Sequence, residues 1–128
     1  MAANSAIPVG LFGDYLYGIG GALVPKFAAI AAATANDNTL VAAVTGKKIR
    51  VLALAVIAGA AGNIYFQSAA AGTVLFGGST NTINLPANGG FVLPFNPLGW
   101  FETVAGELLN MNASSTGPFS GGLVYVEV

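Results

Sequence analysis

The sequence predicts an all-β protein, an antiparallel β-sandwich of seven or eight short strands that follows an extended apolar N-terminal arm. Two observations favour this fold class. Runs of β-branched and aromatic residues recur at intervals of about ten residues, as they do in sandwiches. Glycine, proline and asparagine separate these runs and mark turns. A chain of 128 residues is long enough for one such domain with a real core.

The composition excludes several classes of function. There is no cysteine and no histidine, which excludes disulfides, thiolate metal sites and the commonest general base. A net charge of −1 gives no long-range field for nucleic acid. Only 7% of the residues are charged while 55% are hydrophobic, and such a surface invites association. We therefore expect no catalytic, cofactor-binding or metal-binding residues, and a homo-oligomer whose surface is largely covered by protein.

The N-terminal arm, residues 1–25, is apolar and rich in glycine. Gly18, Gly20 and Gly21 disfavour a helix, and the segment is too apolar for an ordinary disordered tail. It needs a partner surface, either on another protein or on its own domain. Pro8 and Asp14 interrupt any secretory h-region, so no signal peptide is expected. The expected anchors are the large side chains Leu11, Phe12, Tyr15 and Tyr17.

The sandwich domain is expected over residues 26–128, and its first part contains a strand that is apolar on both faces. The alanine run 28–35 is compatible with a helix, but its context favours strand or extended chain. After a polar break at 36–38, strands are expected at 39–45 and 47–58. On the second strand, alternation places Lys48, Arg50, Leu52, Leu54 and Val56 on one face. Beyond residue 50 both faces are apolar, which predicts burial by the core on one side and by a neighbouring subunit on the other.

The stretch VLALAVIAGAAGNIYFQSA, residues 51–69, carries no charge and raises the alternative of a membrane helix. The purely apolar run is shorter than the about 20 residues that a span needs. Gly59 and Gly62 bracket a turn, with β-formers on either side. Two strands joined by a glycine turn fit this pattern better, and no membrane location is expected.

The remaining strands are expected at 63–68, 72–76, 80–85, 91–95, 107–112 and 122–128. Ile83 and Leu85 should point inward. Residues 86–90, which include Asn88-Gly89, carry a hairpin signal. Pro94 is disfavoured in a central strand, which predicts an edge strand or a bulge there. The set of strands is typical of a sandwich of jelly-roll type.

Charged side chains offer little chemistry. Glu102 and Glu107 are close in sequence and could form the carboxylate pair of a glycosidase, but nothing nearby supplies the other groups that catalysis requires. Lys48 and Arg50, with Lys47, could bind phosphate, although three charges make a small footprint. The favoured role of the three basic residues is a solvated strand start or ion pairs across a protein interface. The two glutamates are expected to be solvated or to pair with lysine or arginine.

Trp100 is the aromatic residue for which the sequence allows the most roles. It lies in the loop sequence PFNPLGWFET, between prolines and acids. A tryptophan there could stack on a sugar, anchor a protein interface or cap its own core. A sugar-binding site would combine Trp100 with Tyr65 and loop asparagines. These asparagines are Asn81, Asn84 and Asn96.

Three stretches resemble a family of small phage structural proteins: DNTLVAAVTGKKIRVLALAV, ANGGFVLPFNPLGWFETVAGELLNMN and GGLVYVEV. The similarity runs from about Lys26 to Val128 and leaves the arm outside. The resemblance implies a single β-sandwich domain encoded among virion genes. By analogy with jelly-roll decoration and cement proteins, it implies a non-enzymatic protein on the phage head surface that binds the major capsid protein, as a homotrimer.

Two functions are therefore expected from the sequence. The first is a capsid decoration or cement protein that acts through the arm and through subunit interfaces. The alternative is a receptor- or glycan-binding knob of a head or tail fibre. For the first function, the expected interface residues of the sandwich are Lys48, Arg50, Leu52, Leu54, Trp100 and Glu102.

Overall fold

A computed structural model of the protein describes residues 24–128. This part of the chain forms ten strands and no helix, and the strands pair antiparallel throughout. The all-β prediction is therefore confirmed. The four expected arm anchors lie outside the described residues and stay predictions. The strands are β1 (Lys26–Ala32), β2 (Asn36–Val41), β3 (Ile49–Ala58), β4 (Gly62–Ser68), β5 (Thr73–Phe76), β6 (Ile83–Leu85), β7 (Gly90–Leu93), β8 (Phe101–Glu102), β9 (Leu109–Ala113) and β10 (Phe119–Glu127).

The strands form two sheets. Sheet I has the order β1-β10-β3, and β7 and β8 share the far edge of β3. Sheet II has the order β2-β9-β4, and β5 and β6 share the far edge of β4. Each sheet therefore has four lateral positions, and the last position of each is divided between two short strands. This arrangement is a β-sandwich, in agreement with the predicted architecture.

The core lies between the sheets and is entirely apolar in its largest cluster. Sheet I contributes Ile30, Val51 and Val56, which are at most 2% exposed, and sheet II contributes Phe66 and Met111, which are fully buried. Alternating side chains from two facing sheets produce this layer because successive residues of a strand point to opposite faces.

An aromatic stack joins the two sheets within this core. The ring of Phe101, on β8 of sheet I, lies 5.3 Å from the ring of Phe66 and 5.3 Å from the ring of Phe76, measured between centroids. Phe66 and Phe76 belong to β4 and β5 of sheet II. Aromatic pairs at this distance contribute beyond their buried area, so the stack fixes the short strand β8 against the opposite layer.

A bulge in β3 corrects the predicted alternation of that strand. Val51 pairs with Tyr125 and Ala53 pairs with Val124, which leaves Leu52 as an extra residue without a partner on β10. An extra residue reverses the facing of everything after it. Leu54 therefore faces the same core as Val51, although strict alternation separates the two. The prediction that Leu54 shares a face with Lys48 and Arg50 was wrong for this reason.

Two predicted turns connect different sheets rather than neighbouring strands. The glycine turn at 59–62 joins β3 of sheet I to β4 of sheet II, so the two apolar strands exist but do not pair. The tight turn at 86–90 is present, with Asn88 at a φ of 64°. Its flanking strands β6 and β7 also lie in opposite sheets, so the hairpin was not correct. The turn instead pairs with the end of β3, where the Ala58 amide donates to the Gly89 carbonyl at 2.7 Å.

Polar residues at 36–38, expected as a break, begin strand β2 instead. This strand pairs with β9 alone among the described residues, so it is an edge strand of sheet II in that part of the chain. Asn36 has a φ of 71°, and the Asn38 amide group donates to the Thr34 carbonyl at 2.8 Å. An edge strand tolerates such polar side chains because half of its backbone groups need no partner strand.

Candidate functional site

The outer face of sheet I carries a shallow apolar groove. It crosses all four lateral positions of the sheet and has a volume of about 480 Å³. We call this feature the apolar groove. No charged side chain lines it, and its residues are Phe27, Ala28, Ala29, Ala53, Leu54, Ala55, Val92, Leu93, Pro94, Gly122, Leu123 and Val124.

The groove exists because small residues occupy the centre of the outer face and large ones its ends. Alternation on β1 points Phe27 and Ala29 outward, because Ile30 and Ala32 point into the core. Ala29 pairs with Gly122, which in turn pairs with Ala55. Three neighbouring strands thus present almost no side-chain bulk at this level, and the sheet backbone forms the floor.

The ends of the groove expose large apolar side chains. Phe27 is 82% exposed on β1 and Val92 is 67% exposed on β7. Ile57, at 59%, lies next to the groove on β3. Single exposed hydrophobic residues are ordinary, but several on one sheet face around an apolar floor form a patch of the kind that marks an interaction site.

Two of the residues that the sequence analysis expected at a subunit interface, Leu52 and Leu54, lie on β3. Leu52 and Leu54 are 0% and 2% exposed, so the side chains of both are buried inside the domain. Leu52 packs with Val126 in a small separate cluster. The side chains of β3 that do reach the outer face of the groove are Ala53 and Ala55.

The groove residues Phe27, Ala29 and Val92 were missed by the sequence analysis. One signal could have located the first two. The order Phe27, Ala29, Ala31 alternates with the core residues Ile30 and Ala32, which marks a strand with a second apolar face. The position of Val92 depends on the pairing of β7 with β3, and sequence does not reveal that pairing.

Lys48, Arg50 and Glu102 form an ion-pair cluster within one chain. The Arg50 Nε lies 2.8 Å from Oε1 of Glu102, and the Lys48 Nζ lies 3.2 Å from Oε2. β8 brings Glu102 directly opposite Arg50 in the sheet register. All three groups are therefore paired inside the described chain, where the sequence analysis had expected an interface between subunits.

The charges of this cluster set the ionisation of Glu102. Partial burial acts to raise the pKa of the carboxyl, but the hydrogen bonds and charges of Arg50 and Lys48 outweigh it. The pKa of Glu102 therefore lies below its ordinary value, and the group is a stable anion at neutral pH. Such a group fits an ion pair better than it fits an acid catalyst, whose pKa is raised.

Trp100 braces its own loop. Its indole N–H donates to the Pro94 carbonyl at 2.7 Å, and its backbone N–H donates to the Val51 carbonyl at 2.8 Å. The side chain is 37% exposed. In the same loop, the Asn96 side chain accepts from the Leu98 amide and donates to the Gly99 carbonyl. Both side chains thus serve to hold the loop that follows Pro94.

The residues of the alternative sugar-binding site are divided between the two sheets. Trp100 and Asn96 lie on the loop along the edge of sheet I. Tyr65 lies on β4 of sheet II, and Asn84 lies on β6, opposite Asn63 of β4. The carbonyl of Asn81 accepts from the Gly78 amide in the turn before β6. The structure thus brings Tyr65 and Asn84 to one sheet but does not join them to Trp100.

A small cluster of polar side chains, partly buried, also lies on the strands of sheet II. Asn110 is fully buried, and its amide group donates to Asp37 at 3.0 Å and to Gln67 at 2.9 Å. Glu107, the second member of the sequence's close carboxylate pair, accepts from the Ser68 hydroxyl at 2.6 Å. Glu107 and Glu102 are thus engaged by different partners. Over residues 24–128 there is no group of three or more histidine, cysteine or acidic residues that could hold a metal ion.

The described residues contain no helix that is long and apolar enough to cross a membrane. This finding agrees with the assignment of residues 51–69 to two strands. Comparison with protein-family models, with curated proteins and with solved structures gave no match.

Proposed function

We propose that this protein is a non-enzymatic structural protein of a phage virion, which decorates or cements the head surface. Its partners in this proposal are the major capsid protein and further copies of itself, as a homotrimer. The observation that carries the proposal is the apolar groove, with the exposed apolar side chains around it on sheet I. A face of this kind is suited to burial against protein, and it carries no group that would perform chemistry.

Burial supplies the mechanism. Removing apolar surface from water contributes roughly 25 cal/mol per Å², so even a modest contact contributes several kcal/mol before ordering costs. Only nine of 128 residues are charged, four basic and five acidic, so little electrostatic repulsion opposes the approach of another apolar surface. A contact repeated over a lattice multiplies this gain and resists pressure from inside the particle.

The strand order supports a sandwich of jelly-roll type. If the divided edges count as one strand each, the orders are β1-β10-β3-β7/β8 and β2-β9-β4-β5/β6. Among the described strands, the first and last are thus neighbours, and the second pairs with the next to last. Consecutive strands alternate between sheets, except that β4 and β5/β6 are neighbours in sheet II. Two Greek keys wound together produce this order, and the architecture recurs in viral capsid proteins.

The test of the proposed function is binding to particles that lack the protein. We expect the purified full chain to sediment with such particles, and a variant without residues 1–20 to remain in the supernatant. A matched control replaces Tyr15 and Tyr17 by Phe, which keeps the rings and removes the hydroxyls. Retained binding at full affinity by the shortened chain would contradict the role of the arm, and no binding by the full chain would contradict the virion role.

A second candidate function, a receptor- or glycan-binding knob, is supported by the outer face of sheet II. Tyr65 pairs with Asn112, which pairs in turn with Asp37. Asn63 pairs with Asn84, so polar side chains lie near an aromatic ring. Sugars are bound by such combinations of stacking and hydrogen bonds. Under this function, Tyr65→Ala should abolish binding to cells or glycans, while Trp100→Ala should lower stability. If neither variant loses binding, the outer face of sheet II is excluded as the binding surface.

A further inference from the structure

We propose that the apolar groove is the docking site for the N-terminal arm of a second copy of this chain. The proposal rests on the proposed function in taking the arm as an interface element, and it names the surface that receives the arm. Its test uses the purified protein alone, so the outcome does not depend on where in a virion, or whether in one, the protein resides.

The first step is complementarity of size. The floor of the groove consists of Ala29, Ala53, Ala55 and Gly122, which leave space above the sheet backbone. The arm carries the opposite composition, with the large side chains Leu11, Phe12, Tyr15, Leu16 and Tyr17 and a single charge at Asp14. Large side chains that fill a trough of small ones give close packing without displacing any side chain of the sheet.

The second step is the position at which the arm leaves the domain. The described chain begins at Val24, three residues before Phe27, which forms one end of the groove. The 23 residues before it can extend over about 75 Å, at about 3.3 Å per residue. A groove across four strands spans only about 15 Å, at about 4.8 Å between strands. The arm is thus long enough to leave one domain and still cross the groove of another.

The third step is the direction in which Val24 and Pro25 lead away from β1. Val24 and Pro25 lie in neither a turn nor a bend, and Val24 is 66% exposed. Proline fixes its own φ and biases the preceding residue toward extended backbone. Val24 and Pro25 therefore extend away from the end of β1. Docking of the arm in the groove of its own domain would require the chain to reverse immediately toward Phe27. A neighbouring copy can receive the arm without that reversal.

The test is disulfide trapping, which is clean because the chain has no cysteine of its own. The variant Phe12→Cys/Val92→Cys places one thiol on the arm and one on the groove. The control variant Phe12→Cys/Val74→Cys places the second thiol on β5 of sheet II, at a valine that is also exposed. We expect disulfide-linked dimers or larger rings of the first variant, at least about tenfold more abundant than for the control, since docking raises the effective concentration of the two thiols.

The same experiment contains the outcomes that would overturn the proposal. A disulfide formed within one chain would show that the arm docks in the groove of its own domain. Equal yields of disulfide-linked oligomers from the two variants would show that the arm has no preferred contact. A second pair of variants avoids cysteine chemistry. Ala29→Glu puts a charge in the groove, and Ala31→Glu puts it on the same face of β1 outside the groove. We expect only the first to shift the protein from oligomer to monomer in sedimentation velocity; dissociation by both or by neither would contradict the proposal.

Discussion

At the scale of single residues, the charged and aromatic side chains that the sequence offers for chemistry are used to hold the fold. Glu102 binds Arg50 and Lys48, and Trp100 closes the loop after Pro94. The ion pairs fasten β8 to the start of β3, and the tryptophan contact holds the loop between β7 and β8. The sequence identifies these residues as notable because charges and tryptophan are rare in it, but only the structure shows that their partners lie in the same chain.

The first prediction concerns the pH dependence of the Glu102 ion pairs. Because the pKa of Glu102 is lowered in the folded state from its ordinary value of 4.5, the ionised group stabilises the fold above that pH. The stabilisation is lost as the pH falls through the lower, folded-state pKa. We expect Glu102→Gln to lower the free energy of unfolding by about 1 kcal/mol at neutral pH, and the difference to shrink as the pH falls below 4.5.

Chemical denaturation at several pH values measures this difference. The control is the same substitution in an Arg50→Gln background, where the effect of Glu102→Gln should be smaller because one of the partners is already gone. A difference between parent and Glu102→Gln that grows as the pH falls would contradict the assignment.

The second prediction concerns Trp100. Trp100→Phe keeps an aromatic ring but removes the hydrogen bond to the Pro94 carbonyl, which should lower the free energy of unfolding by about 1 kcal/mol. Trp100→Ala also removes the packing of the ring and should cost about 2 kcal/mol or more. Thermal or denaturant unfolding of both variants measures the effect. Unchanged stability in Trp100→Ala would show that the side chain does not brace the loop and would return it to a binding role.

At the scale of elements, most strands could be predicted and their partners could not. Local composition located eight of the ten strands that residues 24–128 form, since turn residues separate runs of β-formers. The register of β3 failed because one extra residue, Leu52, reverses the alternation, and the sequence carries no mark of this bulge. The turn at 86–90 formed as its Asn-Gly signal requires, but which strands it joins is decided by the packing of both sheets.

The residues of the apolar groove could not be predicted for the same reason, because the sequence does not reveal which strands pair. Sequence shows that β3 is apolar on both faces, and therefore predicts a second covered surface. It does not show which residues form that surface, because pairing with β1 and β7 decides what surrounds Ala53 and Ala55. Alanine and glycine runs are also ambiguous between strand, helix and turn, which hid the contribution of β1.

The third prediction concerns the close approach of β10 to β3. Gly121 has a φ of 145°, and a Cβ placed there would lie 1.9 Å from the Ala55 carbonyl oxygen. Gly121→Ala must therefore push apart two central strands of sheet I, and we expect a loss of more than about 3 kcal/mol of stability or no folded protein. The next residue supplies a matched control.

At Gly122 a Cβ would lie 3.4 Å from the Ala28 carbonyl oxygen, and the backbone needs no positive φ. Gly122→Ala should therefore fold, with a change in stability of less than about 1 kcal/mol. Soluble yield and thermal unfolding compare the two variants. Equal behaviour of both would contradict the register of β10 against β3.

At the scale of the whole molecule, the sandwich has two different outer faces. Sheet I presents the apolar groove, and sheet II presents polar side chains such as Asp37, Asn112 and Tyr65. A protein that lies on a larger protein assembly needs one face that is buried and one that meets solvent. The low charge of the chain is consistent with this division, because charge on the buried face would oppose association.

The fourth prediction is that the domain folds without the arm. Every strand of the described residues 24–128 lies within Lys26–Glu127, so we expect a variant lacking residues 1–22 to keep its β-type circular dichroism and a cooperative thermal transition. With the groove uncovered, we expect stronger binding of a hydrophobic dye than to the full chain. Loss of the cooperative transition would show that the arm belongs to the core of the domain.

The proposal that this sandwich is a virion component used across the head can be tested by its copy number in purified particles. Quantitative mass spectrometry against the major capsid protein gives the ratio of the two chains. We expect a ratio that is fixed by the lattice, with a copy number of the same order as that of the capsid protein. A ratio that corresponds to a single vertex or tail would replace the lattice-wide role by a fibre or knob, and absence from the particle would contradict the account.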